Sequence, residues 1–202
     1  MAFALLNIAV LVSGFGTNLQ AIIDSIANGA LQGVSIGIVI SDRKHAYALT
    51  RAQKHGIQAS FIPKQDTAAL LQALKTSAVD GLVLAGYLSI LPKEVIASYA
   101  QKIINIHPSL IPAYCGKGFY GIKVHEAVLS ASETETGATV HLVDNGIDTG
   151  PILLQRRVPV LPLDTPERLQ QRVLQAEHAL LAEALQTWSA QGMSAFFQNP
   201  TA

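Results

Sequence analysis

Three short stretches combine residue types and spacings that suit chemistry. The first is Ser13-Gly14-Phe15-Gly16-Thr17-Asn18, between an apolar run and a helix-like segment. A glycine-rich strand-to-helix turn leaves backbone N–H groups facing outward at the positive end of a helix, where an anion is welcome. It is not a dinucleotide fingerprint. Leu19 stands where a third glycine belongs, although Asp42 is close to the required acid. It also lacks the lysine of a Walker loop, so one phosphate suits it better than a pyrophosphate. A plain tight turn capped by Thr17 or Asn18 is an equal reading. The second stretch is Asn105-Ile106-His107 at the end of an apolar run. Residues two apart in a strand point the same way, so Asn105 and His107 can share a cleft. An amide donor beside a group that titrates near neutrality suits an oxyanion and a proton transfer. A buried, satisfied histidine remains the alternative. The third is Asp144-Asn145-Gly146-Ile147-Asp148-Thr149-Gly150-Pro151, a turn with two carboxylates. It lacks the closing Glu of an EF-hand. A solvated turn is the bland alternative.

The remaining histidines say less. His141 lies in a strand-like run and can face the same cleft. His125 lies in a helix-like segment, and His45, His55 and His178 read as surface positions. No Cys/His cluster has zinc spacing, so no metal is expected. Cys115 is the one cysteine and cannot form an internal disulfide, which suits a reducing compartment.

The elements that must carry these residues follow from the apolar pattern. Residues 5–12, 34–40, 82–85 and 103–106 are strand-length and apolar almost throughout, as in a sheet covered on both faces. Helical spacing falls at 18–27, 47–55 and 67–77, with Gly56 as a stop. This alternation predicts a parallel sheet with right-handed crossovers. The second half differs. Residues 105–121 read as a long loop and 123–130 as a short helix. Residues 138–143 and 152–158 read as a strand pair, and 167–188 as a long amphipathic helix. The tail from Gln191, with Gly192 and Pro200, reads as loosely held.

Of the 202 residues, half are hydrophobic and 14% charged, which excludes a disordered chain. Fourteen basic and fourteen acidic residues balance, which argues against a general nucleic-acid or anionic-membrane binder. The first apolar run is interrupted by Asn7 and falls short of a membrane span. Nothing around it reads as a signal peptide. A single α/β domain over residues 1–202, cytoplasmic, is the expectation.

The stretches VLVSGFGTNLQAIID, VISDR, VLAGYLSIL, NIHPSLIPAYCGKG, GATVHLVDNGIDTGPILLQ and QAEHALL together resemble the phosphoribosylglycinamide formyltransferases. These are the folate-dependent glycinamide ribonucleotide transformylases of purine synthesis. NIHPSL followed by the D-x-G-P turn is specific for the formyl-transfer fold, and the SGxGTN loop narrows it to the ribonucleotide branch. The resemblance implies a Rossmann-like fold: a mostly parallel central sheet with helices on both faces and a mixed C-terminal half.

It also implies roles. Asn105, His107 and Asp148 match the catalytic set, with Asp148 holding the imidazole and favouring its charged form. Gly16, Thr17 and Asn18 match the substrate phosphate loop, and Glu177 a residue near the substrate ribose. Leu88, Ser89, Ile90 and Leu91 match the folate pocket, with Asn105, His141 and Asp144 beside it. Two departures stand out. Ser89 replaces a common Arg, and residues 61–67 read FIPKQDT where an Arg-Glu-aromatic-Asp stretch is usual, so that Lys64 is the nearest cation for the folate tail. The CGKGFYGIKVH stretch is also longer than usual. The implied reaction takes a formyl group from 10-formyltetrahydrofolate, without metal, to the amine of glycinamide ribonucleotide. Both partners are small molecules. Nucleic acid and membrane are not expected, and the chain is a monomer or homodimer. The alternatives are a formyltetrahydrofolate deformylase-type hydrolase and a non-catalytic folate- or phosphate-binding module. A methionyl-tRNA formyltransferase would need a further RNA-binding domain, for which 202 residues leave no room.

Overall fold

The computed structural model describes residues 5–198. In chain order the elements are β1 (Leu6–Val12), α1 (Thr17–Ala27), β2 (Val34–Ser41), α2 (Tyr47–Lys54), β3 (Ala59–Phe61), α3 (Thr67–Thr76) and β4 (Gly81–Leu84). There follow α4 (Lys93–Ser98), β5 (Ile103–His107), α5 (Ile122–Ser130), β6 (Glu135–Leu142), β7 (Ile152–Pro159), α6 (Pro166–Gln191) and α7 (Ala195–Gln198). Among the described residues, seven strands form one sheet in the order β3-β2-β1-β4-β5-β6-β7. The pairs from β3 to β5 are parallel, whereas β5–β6 and β6–β7 are antiparallel. This is the mixed, Rossmann-like arrangement expected.

β1 is apolar throughout because both its faces are covered. Ile8, Val10 and Val12 join the layer that holds α1, α2, α5 and α6. Ala9 and Leu11 join the opposite layer, with α3 and α4. Alternate side chains of a strand point to opposite faces, so an unbroken apolar run is what two helical layers demand. α6 starts where the Thr165 side chain accepts from Arg168 N (3.3 Å), with Pro166 in its first turn. Its buried stripe includes Leu169, Val173, Leu180 and Ala184. Each fully buried leucine there contributes about 1.5–3 kcal/mol. Glu177 is in phase with that stripe and is buried with it.

Three elements escaped the apolar pattern, the short α7 in the tail and two within the body of the fold. β3 has three residues, reads Ala-Ser-Phe and lies at the sheet edge, so no apolar run marks it. α4 has six residues with one of them buried, too short for helical periodicity to show. Gly56 follows α2 at φ 69°, consistent with a helix stop. The tail is not loosely held as far as it is described: Gly192 closes α6, α7 follows, and Met193 and Phe196 pack against the core, while Pro200 lies outside the described residues. Among the described residues, no helix is long and apolar enough to cross a membrane.

Candidate active site

One cleft of about 720 Å³ is bordered by the turn after β1, the stretch after β4, the C-terminal half of β5, residues 116–121, the turn after β6 and the inner face of α6. Asn105, His107, His141 and Asp148 all line it. β5 and β6 bring the first three together, because antiparallel pairing sets Asn105 opposite His141. Asp148 arrives from the turn between β6 and β7, in the left-handed region at φ 56°, which aspartate tolerates better than most residues. Gly150 permits that turn, since any Cβ there would run into the Leu142 carbonyl.

The hydrogen bonds assign the protons. His107 Nε2 lies 2.9 Å from the Tyr114 carbonyl. A carbonyl only accepts, so Nε2 carries a hydrogen and Nδ1 faces Asp148 Oδ2 at 3.6 Å. His141 Nδ1 donates to the Leu142 carbonyl at 2.8 Å, leaving Nε2 to accept from Asn105 Nδ2 at 3.0 Å. The same amide makes a longer contact of 3.4 Å to Asp148 Oδ1. Asp148 Oδ2 also accepts from Gly116 N at 2.9 Å.

Burial pushes the Asp148 carboxyl up, but neighbouring His141, the His107 ring and the Gly116 N–H together hold it below its ordinary value. For His107 the balance tips the other way from the expectation of a favoured charged form. Burial lowers its pKa, the Tyr114 carbonyl and Asp148 oppose that, and His141 adds to it. The 3.6 Å gap is too long for a hydrogen bond, so the carboxylate does not cancel the desolvation. As it stands, His107 favours the neutral ring.

At the opposite end of the cleft, α1 begins at Gly16, which sits at φ 71° and has no side chain to cap the helix. Thr17 and Asn18 are therefore not the cap, and no side chain occupies the first-turn N–H groups. A Cβ on Gly16 would also come within 2.6 Å of the Ala48 side chain. Asn18 turns its amide inward to Glu177 Oε2, 2.7 Å away. Burial pushes the Glu177 carboxyl up to about 7, and the Asn18 bond opposes this only in part. Thr17 and Glu177 line the cleft.

Leu88, Ser89, Ile90, Leu91 and Asp144 also line it. Asp144 shapes its own turn, accepting from Gly146 N (2.9 Å) and Thr149 Oγ1 (2.7 Å). Lys64 does not reach the cleft. It is exposed in the turn that follows edge strand β3, three strands from β4. The lysines that line the cleft are Lys93 and Lys117. His178 is half-buried rather than on the surface, with its Nε2 lacking a partner. His125 is buried against the cleft with neither ring nitrogen bonded, and burial, aided by His107, lowers its pKa to about 4. Cys115 holds its thiol against the Pro112 carbonyl at 3.3 Å, and burial and Asp148 raise its pKa. Among the described residues, no group of three or more His, Cys, Asp or Glu is arranged to hold a metal ion.

Residues 6–185 match the formyl transferase family. The chain is 35% identical over 201 residues to the phosphoribosylglycinamide formyltransferase of Escherichia coli strain K12, covering 96% of this chain and 92% of that one. It is 40% identical over 187 residues to the chloroplastic phosphoribosylglycinamide formyltransferase of Vigna unguiculata, covering 89% of this chain but 60% of that protein's length. Its fold superposes on the solved structure of a phosphoribosylglycinamide formyltransferase from Coxiella burnetii with a TM-score of 0.84 at 40% identity, covering 92% and 87% of the two chains.

Proposed function

Because this chain belongs to the formyl transferase family, we propose that it moves a formyl group from 10-formyltetrahydrofolate to the amine of glycinamide ribonucleotide. One observation carries the reading: an uncapped helix N-terminus suited to a phosphate and an Asn–His–Asp cluster suited to acyl transfer stand in one continuous cleft.

The phosphate would sit on the backbone N–H groups at Gly16, Thr17 and Asn18, with Glu177 toward the ribose. The pterin would lie along Leu88, Ser89, Ile90 and Leu91, near His141 and Asp144. The amine nitrogen attacks the formyl carbon, and its C=O becomes an oxyanion. Neutral His107 can take the amine's proton on Nδ1, which faces Asp148. The imidazolium so formed is held between that carboxylate and the Tyr114 carbonyl, and it stabilises the oxyanion beside it. Asn105 Nδ2 can exchange its long contact with Asp148 for the oxyanion. Collapse breaks the bond from the formyl carbon to the folate nitrogen, which receives the proton from His107. The nucleophile is the substrate amine itself, so no covalent enzyme intermediate is needed.

The test is formyl transfer measured with and without the ribonucleotide. Product formed only with the ribonucleotide supports the reading. Deformylation by water alone would favour the hydrolase, and tight folate binding with no turnover would favour a binding module.

A further inference from the structure

We propose that Asp42 is a positioning residue: by accepting hydrogen bonds from Ser13 and Ser89 it fixes the 87–91 wall of the cleft, and so sets affinity for the flat heterocycle of the folate. The folate half rests on the function proposed above; the clamp itself does not.

The stretch after β4 has no regular structure of its own. Up to Gly86 it is tied to the sheet by backbone bonds, Ala85 N to Leu11 O (2.9 Å) and Ser13 N to Gly86 O (3.0 Å). Beyond Gly86 it is held by side chains. Leu88 N donates to Ser13 Oγ at 2.8 Å, and Ser89 Oγ donates to Asp42 Oδ2 at 2.6 Å. Ser13 Oγ passes its own hydrogen to Asp42 Oδ1 at 2.7 Å. Both carboxylate oxygens are thus engaged. The residue after β2 gathers the turn after β1 and the stretch after β4 into one unit. Hydrogen bonds to a charged acceptor are stronger than neutral ones.

Packing anchors the two ends of this wall, where Tyr87 lies against the core and Leu91 is buried in it, but not the middle. Leu88 is 47% and Ile90 71% exposed, so little core contact fixes them. They face the cleft all the same. Apolar side chains held at a cleft mouth against water imply a scaffold beneath them, and the Asp42 pair of bonds supplies it. Tyr87 faces the same carboxylate, and its pKa rises to about 12 through burial and then the Asp42 charge. Ser89, the departure from the family's Arg, serves here as an inward-turned hydroxyl and not as a lost charge.

Three variants test this. In Asp42→Ala, with both bonds gone, the folate KM should rise about tenfold, whereas kcat and the ribonucleotide KM stay within about twofold. Asp42→Asn should rescue the folate KM to within about twofold, since its oxygen can accept from Ser13 and its amide can donate to Ser89 Oγ. Ser89→Ala should raise the folate KM by about threefold, and it decides the matter if Asp42→Ala does not fold. Hydrogen exchange at the Leu88 amide reads the clamp without any folate: faster in Asp42→Ala, unchanged in Asp42→Asn. An unchanged folate KM in a folded Asp42→Ala overturns the proposal, as does a fall in kcat with KM unmoved or failure of Asp42→Asn to rescue. If the wild type neither transfers formyl nor binds folate, the proposed function and the folate half fall together, and the exchange rates alone judge the clamp.

Discussion

Asn18 Nδ2 donates to Glu177 Oε2 across 2.7 Å, joining the first turn of α1 to the middle of α6 at the wall of the cleft. Glu177 is the one carboxylate on an otherwise apolar buried stripe, and burial raises its pKa from 4.5 to about 7. The folded state therefore binds more protons than the unfolded chain between those values. Stability from this group is complete below 4.5 and is lost as pH rises through about 7. Glu177→Gln should unfold at a higher temperature than the wild type at about pH 8.5 and at nearly the same temperature at about pH 5. Calorimetry at the two pH values decides; equal differences at both would show that the carboxyl titrates normally.

Asn105→Ala should lower kcat for formyl transfer by ~10²–10³, the usual loss for one oxyanion donor. Asp148→Asn keeps the shape that accepts from Gly116 N but removes the charge facing His107. Its kcat should fall by ~10²–10⁴, with little change in melting temperature. Steady-state kinetics within roughly threefold of wild type for either variant would remove it from the reaction.

Lys93 and Lys117 line the cleft and Lys64 does not, so an anionic folate tail that leaves past α4 should meet Lys93. An exposed ion pair contributes ~0.2–1 kcal/mol, so Lys93→Ala should raise the folate KM up to about fivefold, more at low salt. Lys64→Ala should leave it unchanged. The reverse order would put the tail at the β3 edge of the sheet.

Gly150→Ala forces a methyl group into the Leu142 carbonyl and should destabilise the protein by roughly 1–3 kcal/mol. It should also lower turnover, because the same turn presents Asp148. Gly14, where a methyl group would meet nothing within 4 Å and the backbone has no positive φ, is the control: Gly14→Ala should leave the melting temperature unchanged. Equal denaturation midpoints for the two variants would show that the turn relaxes freely.

The legible parts of this chain were those where one local rule sufficed. Buried strands such as β1 declare themselves by unbroken apolar runs, and α6 by its stripe. β3 and α4 did not, because a three-residue edge strand and a one-turn-and-a-half helix bury too little to leave a pattern. In the cleft, Asn105 and His107 share a strand, and their common side follows from period-two alternation alone. The charge preference of His107 could not be read that way. It depends on how far burial outweighs a carboxylate arriving from 41 residues further along the chain, at 3.6 Å. Lys64 lies outside the cleft because nearness in sequence to the position of a missing arginine says nothing about strand order. Glu177 had a usable signal, a carboxylate in phase with apolar neighbours, and Asp42 had none until both its serines were seen at once.

The bond from Gly116 N to Asp148 Oδ2 ties the long connection before α5 to the turn before β7. Neither segment has a ladder of its own, and each leans on the other at the point where the carboxylate meets His107. Loop segments with few contacts of their own open at lower free energy than the strands they flank. Asn105, His107 and His141 stand on the paired strands β5 and β6, so warming should draw Asp148 away from them before the strands part. Far-ultraviolet circular dichroism would then stay native at a temperature where the Gly116 amide already exchanges freely.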